Sequence, residues 1–243
     1  MRLGALVLFA CGCDAAVMET VDAPPSDVQQ QDSMQMTIAC PQDPDLLLCM
    51  SFDAAGWTSP YNNEGALAVT ANLTAVTRTT AGNANSALLG PTSEILFPMN
   101  PLLTGFAAMD VRLRFDEDIP AGGRVGIIDA DNTTPGMSLF VYTGTTSPHR
   151  IRCNLGGVDL YAATTITLGA FTEIACTCNM GNVAVHQDGV KLVELAGTPT
   201  CMPGGAVNVG LQIGQNSRAG SGLPPNEPFI GAIDRVRLWN KVP

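Results

Sequence analysis

The stretch Phe229–Asn240, FIGAIDRVRLWN, constrains the fold of this chain more than any other. Ile230, Ala232, Asp234, Val236 and Leu238 fall on one face and Arg235 and Arg237 on the other, with allowance for one local bulge. Successive side chains of a β-strand point to opposite faces, so a period of two reads as a half-buried strand. The buried face of such a strand needs a second layer to cover it.

The chain from Cys40 to Pro243 repeats this pattern in short apolar runs broken by Gly, Asn, Pro and Ser. No 3.6-residue period is sustained, which favours an all-β domain. In GFAAMDVRLRF, Met109, Val111, Leu113 and Phe115 alternate with Asp110, Arg112 and Arg114. The runs DLLLCMSFD, SALLGPTSEILFP, RVGIID, MSLFVY and HRIRCNL (turning at Gly156-Gly157) also read as strands. FTEIACTC and NVAVHQ pair across a turn at Met180-Gly181, and Asp188-Gly189 turns the chain into VKLVEL. Asp188 and Gly189 both tolerate the positive φ that such a two-residue turn needs. About a dozen strands are too many for one open sheet and suit two sheets packed face to face. With 46% hydrophobic and 14% charged residues the chain has ample core material. Its net charge of −10 makes nucleic acid and anionic bilayer surfaces poor partners.

These pieces resemble laminin-G-like, concanavalin A-like domains. The closing strand is similar to their phenylalanine–x–glycine–x–isoleucine–aspartate followed by valine–arginine–x–tryptophan. Upstream, in the same order, lie an opening strand ending Phe52-Asp53, SEILFP, GFAAMDVRLRF, a strand led by the aromatic Phe171, the turn His186-Gln187-Asp188-Gly189, and Ile213-Gly214. Phe171 and His186 depart from the tryptophan and tyrosine of the family pattern. The resemblance covers nearly all of residues 40–243 and implies an antiparallel, two-sheet jelly-roll sandwich.

The first residues read as an address. Met1-Arg2 and the apolar run LGALVLFA are too short to span a bilayer. Cys11 and Cys13 each resemble the acylated cysteine of a bacterial lipobox; Cys13 is preferred because it leaves the longer apolar run before cleavage. An ordinary secretory signal with incidental cysteines is the alternative. Residues 1–12 are thus expected to be a lipoprotein signal peptide, and residues 13–39, rich in Pro, Gln, Asp and Ser, a flexible tether. The expected location is the cell envelope, membrane-anchored through lipid alone.

Six cysteines remain beyond the address, an even number that implies disulfides in an exported chain. Cys40 and Cys49 flank a proline-containing loop and are expected partners. Cys176 and Cys178 sit two apart on one strand, point the same way and cannot readily bridge each other. Two arrangements are open for the other four, with Cys153–Cys176 and Cys178–Cys201 preferred on sequence order.

Catalytic signals are sparse. Retaining glycoside hydrolysis needs two carboxyls about 5 Å apart, yet none of the seven glutamates has an aspartate two residues on, and no two share a strand. Neither His149 nor His186 sits near a nucleophile elbow. The chain is therefore expected to be a non-catalytic module binding a glycan or an extracellular protein. A purely structural envelope lipoprotein is the alternative, and a β-glucan hydrolase on the same fold a weaker one. Sugars pack on aromatic rings oriented by a few polar groups. Trp57, Tyr61, Asn62 and Asn63 are the candidate platform, with a self-anchoring loop as the other reading, and Ser217–Glu227 is a further rim loop. Replacing Trp57 is expected to cost binding more than stability. The resemblance also implies a structural Ca²⁺ held by Asp234 with oxygens from Ser51 to Asp53, or else an aspartate bonded within a strand turn.

Overall fold

The computed structural model describes residues 40–243 apart from residues 55, 83–84, 100–102, 104–105, 131–136, 145–148, 156, 198–209 and 217–226. The described residues belong to one compact unit, Ile38–Pro243. Cys11, Cys13, the expected tether, Cys201 and all of the 217–227 loop except Glu227 lie outside them.

Among the described residues sixteen strands follow one another: β1 (Leu46–Met50), β2 (Tyr61–Asn62), β3 (Thr70–Thr74), β4 (Thr77–Thr79), β5 (Ser86–Leu89), β6 (Glu94–Phe97), β7 (Ala108–Phe115), β8 (Arg124–Asp129), β9 (Ser138–Thr143), β10 (His149–Leu155), β11 (Val158–Thr164), β12 (Phe171–Asn179), β13 (Asn182–Gln187), β14 (Val190–Leu195), β15 (Leu211–Ile213) and β16 (Gly231–Trp239). They form two antiparallel sheets. The first runs β14-β13-β12-β7-β16-β5-β4, with β1 also on β16; the second runs β11-β10-β9-β8-β15-β6-β3-β2. This is the jelly-roll sandwich that the alternation requires.

The strands form where alternation is strong. Met109, Val111, Leu113 and Phe115 of β7 face the core, where Val125, Ile127, Leu139, Val141 and Ile151 of the second sheet meet them. Burying each large apolar side chain is worth about 1.5–3 kcal/mol, so these faces hold the sheets together. The expected hairpins are present. Met180 and Gly181 have φ of 47° and 83°, Asp188 and Gly189 of 49° and 77°, the left-handed values that two-residue turns need.

The closing strand departs from simple alternation. β16 pairs with β7 along its whole length on one edge and with β5 and then β1 on the other. Its register on β7 slips between Ile233 and Arg235, so Asp234 is an extra residue. The bulge reverses the phase upstream: Ile233, opposite Leu113, faces the core instead of Ala232, while Asp234 belongs to the outward side, bonded to Arg112. An inserted residue of this kind bends a strand and re-aims a side chain.

Cys40 is bonded to Cys49, closing the loop ahead of β1. Cys153 of β10 is bonded to Cys176 of β12, so this bridge ties one sheet to the other through the core. Cys178, buried on the same face as Cys176, is also disulfide-bonded, to a residue outside the described ones. On the outward side of the first sheet, Leu46, Cys49, Ala108 and Trp239 make a small second cluster.

Candidate functional site

The four platform candidates separate. Trp57 is half-buried, with its ring 5.5 Å from Phe52 and 6.2 Å from Tyr61. Its indole nitrogen is buried and without a hydrogen-bond partner. Tyr61 is 4% exposed; its hydroxyl donates to the Glu64 carboxylate and accepts from Phe52 N at 3.1 Å. Burial, and then Glu64, push its ionisation well above the usual range. Asn63 accepts from Cys49 N and Gly65 N and donates to Leu47 O and Leu67 O, which fills all four of its hydrogen-bonding positions. Asn62 alone is exposed. Trp57, Tyr61 and Asn63 thus serve as an inward-facing anchor of the loop, and Asn62 stands apart from them.

Asp53 and Asp234 lie near enough to feel each other: burial first, and then the Asp234 charge, raise the Asp53 carboxyl above its ordinary value. Asp234 is 3% exposed, and its Oδ2 receives Arg112 Nη1 at 2.6 Å. The Arg112 guanidinium stacks over Phe171 at 4.8 Å, which fixes it in place. Calcium takes six to eight oxygens. Among the described residues no three His, Cys, Asp or Glu side chains gather to hold a metal ion. An arginine on Asp234 supplies positive charge where the resemblance implied an ion.

A different cluster stands on the outward face of the second sheet, where β8 to β11 lie side by side. Core-facing Val141, Ile151 and Leu160 alternate with outward Phe140 and Tyr142, Arg150, Arg152 and Asn154, and Asp159 and Tyr161. Register then makes rows across the strands. Tyr161 stands opposite Arg152, and Arg152 opposite Phe140; Asp159 stands opposite Asn154, and Asn154 opposite Ser138. The second row continues through Asp129 of β8 to Gln212 of β15.

The cluster is tightly bonded. Arg152 Nε, Arg152 Nη2 and Asn154 Nδ2 all reach Asp159 Oδ1 at 2.8 Å. Arg152 and Arg124 both lie over the buried Phe140, at 5.6 and 5.0 Å. Arg124 also donates to the Tyr142 hydroxyl at 2.9 Å and pairs with Glu227 at 2.7 Å. Burial works against its charge, yet the bonds to Glu227 and Tyr142 outweigh that and raise its pKa. Tyr161 leans on Tyr142 at 6.1 Å and remains 48% exposed, and the Asp159 side chain is 44% exposed. Asn154 Oδ1 is buried without a partner. An exposed ring thus stands beside prepositioned donors and acceptors, an arrangement that can hold a polar ring compound. The sequence reading missed it because VDLYAAT was not taken for a strand.

The outward side of the first sheet carries a shallow groove of about 450 Å³ floored by Ala175, Thr177 and Ala184. Of the charged residues lining it, Lys191 and Glu194 pair with each other and Glu173 pairs with Arg235. It displays no aromatic ring.

The sequence profile of the concanavalin A-like lectin/glucanases superfamily matches residues 110–243, more than half of the chain. The chain belongs to this family. No curated protein matches it in sequence. Among solved structures it is similar to domain 4 of AbnA, a GH43 extracellular arabinanase from Geobacillus stearothermophilus, in complex with arabinotriose. That match has 17% identity and a TM-score of 0.57, and covers 80% of this chain and 92% of that one. It is also similar to a Trypanosoma rangeli sialidase, at 15% identity and TM-score 0.57 over 83% of this chain but 31% of the sialidase. At these identities the likeness is one of fold.

Proposed function

We propose that this chain is a non-catalytic recognition module that binds a glycan on the outward face of its second sheet. The observation that carries the reading is Tyr161, a half-exposed ring held beside Asp159, Arg152 and Asn154. Aromatic surface with a few convergent polar groups is what oriented binding of a small polar ligand needs. The neighbouring arabinanase domain, seen with arabinotriose, is in keeping with this.

The carboxylates of this face favour binding over hydrolysis. Asp159 on β11 and Asp129 on β8 share a row three strand spacings apart, about 14 Å at about 4.8 Å each. Asp129 and Glu94 on β6 are two spacings apart and two residues out of row, about 12 Å between backbones, with Gln212 between them and its amide held by Glu94. Glycoside hydrolysis calls for carboxyls about 5 to 9.5 Å apart.

Export and lipid anchoring at Cys13, or at Cys11, complete the proposal, and the disulfides suit an oxidising compartment. A glycan array probed with the full chain and with Tyr161→Ala tests the binding. Retention on at least one glycan, lost in the variant with an unchanged melting temperature, is expected; binding equal in both would refute it. Anchoring is checked by labelling with radioactive palmitate, which Cys13→Ser should abolish.

A further inference from the structure

We infer that the glycan is uncharged, and that the site reads a pair of adjacent hydroxyls through Asp159; this rests on the recognition reading above. Both arginines at the centre of the cluster are already committed. Arg152 is bound to Asp159 and Arg124 to Glu227, and each lies over Phe140. An anionic sugar would have to compete with the carboxylate already bonded to each arginine.

The open groups are acceptors. Three donors converge on Asp159 Oδ1, which fixes the plane of the carboxylate, and none of them reaches Oδ2. Asn154 Oδ1 is itself buried, so Asp159 Oδ2, on a side chain 44% exposed, is the acceptor left to a ligand. Acceptors on a surface call for donors from the ligand, and hydroxyls on adjacent ring carbons supply two side by side. Tyr161 is two residues from Asp159 on the same face of β11, about 6.7 Å along the strand. A single sugar ring spans that interval, with its apolar face on Tyr161 and its hydroxyls at Asp159. The exposed Arg150 stands opposite Tyr142, about 7 Å along β10 from the Tyr161 row, on the side of Tyr161 away from Asp159.

Affinity electrophoresis of the full chain tests this at physiological and at raised salt. The probes are neutral polysaccharides (arabinan, galactan, mannan, mixed-linkage β-glucan) and polyanionic ones (polygalacturonate, alginate, heparin). Retardation by at least one neutral polymer, little changed by salt, is expected. Asp159→Asn, which keeps the shape of the side chain, should weaken it about 10- to 100-fold, the range for a hydrogen bond to a charged group. Tyr161→Ala should weaken it too while leaving the three-donor cluster in place. Retardation by polyanions alone, falling with salt and lost in Arg150→Ala, would overturn the inference and leave the recognition reading standing. Neutral binding that survives Asp159→Asn overturns it as well. Retardation by no polysaccharide would overturn the recognition reading itself.

Discussion

Trp57 gives the sharpest test of how the loop between β1 and β2 is built. Its ring meets Phe52 edge-on at 5.5 Å and Tyr61 at 6.2 Å, and it packs against the main core. Removing a fully buried tryptophan costs about 3–5 kcal/mol, and aromatic pairs add about 0.5–1.5 kcal/mol each within such totals. A half-buried ring with two pairs should therefore lose about 2–3 kcal/mol in Trp57→Ala. For a domain of this size that is about 5–10 °C in melting temperature. Trp57→Phe is expected to behave differently. It keeps ring contacts and removes the buried, unpartnered indole N–H, a group whose desolvation costs about 1–3 kcal/mol. Its net change should lie within about 1 kcal/mol of zero. Urea unfolding followed by fluorescence measures both variants, because Trp239 remains as a reporter in a chain with two tryptophans. A Trp57→Ala protein of native stability that no longer binds glycan would refute this reasoning and restore the exposed platform.

The ion pair at the bulge should respond: Arg112→Ala removes the 2.6 Å bond to Asp234, 3% exposed, and should cost about 1–3 kcal/mol by urea unfolding. With Arg112 present, calcium and chelator should give the same melting midpoint; a rise of several degrees with calcium in protein first shown to be metal-free would establish a site there. Gly126→Ala would drive a Cβ to 2.5 Å from the Gln215 backbone, and Gly126 N bonds to Glu227 O, so both stability and glycan affinity should fall. The variant melting at the native temperature would show that this approach relaxes freely. Burial and then Lys191 lower the pKa of His186, so the unfolded chain takes up that proton more readily. The contribution of His186 is therefore present above about pH 6.5, the unfolded value, and lost as pH falls through the lower folded one. Melting temperature against pH should show a step there that His186→Gln lacks.

The fold was legible because burial writes itself into alternation. Met109 to Phe115 carries the whole pattern of a strand covered on one side, and Asp188-Gly189 states its own turn. The weaker strands left less trace. β3, TANLT, has only Ala71 and Leu73 as an inward stripe, β4, TRT, has no apolar residue, and both lie toward the far ends of their sheets. The bulge at Asp234 was legible as a possibility but not in its effect. The re-phasing depends on β16 meeting β7 on one edge while β5 and β1 share the other, a fact of three partners at once.

The site was hidden for a related reason: its members are neighbours only through register. Arg152 and Tyr161 are nine positions apart, and nothing in either stretch alone joins them. The joining signal is the Gly156-Gly157 turn, because a two-residue connection pairs Leu155 with Val158 and thereby Asn154 with Asp159 and Arg152 with Tyr161. Continuing HRIRCNL through that turn would have brought the cluster together from sequence. The same geometry bears on how the face works. Asp159 and Tyr161 are held by a strand ladder and Asp159 again by three donors, so little protein freedom is left to lose when a ligand arrives. A rim loop would have to be ordered by its ligand. A strand-built face already holds its acceptors in position, and discrimination among sugars then falls to the direction of hydroxyls against the fixed plane of Asp159.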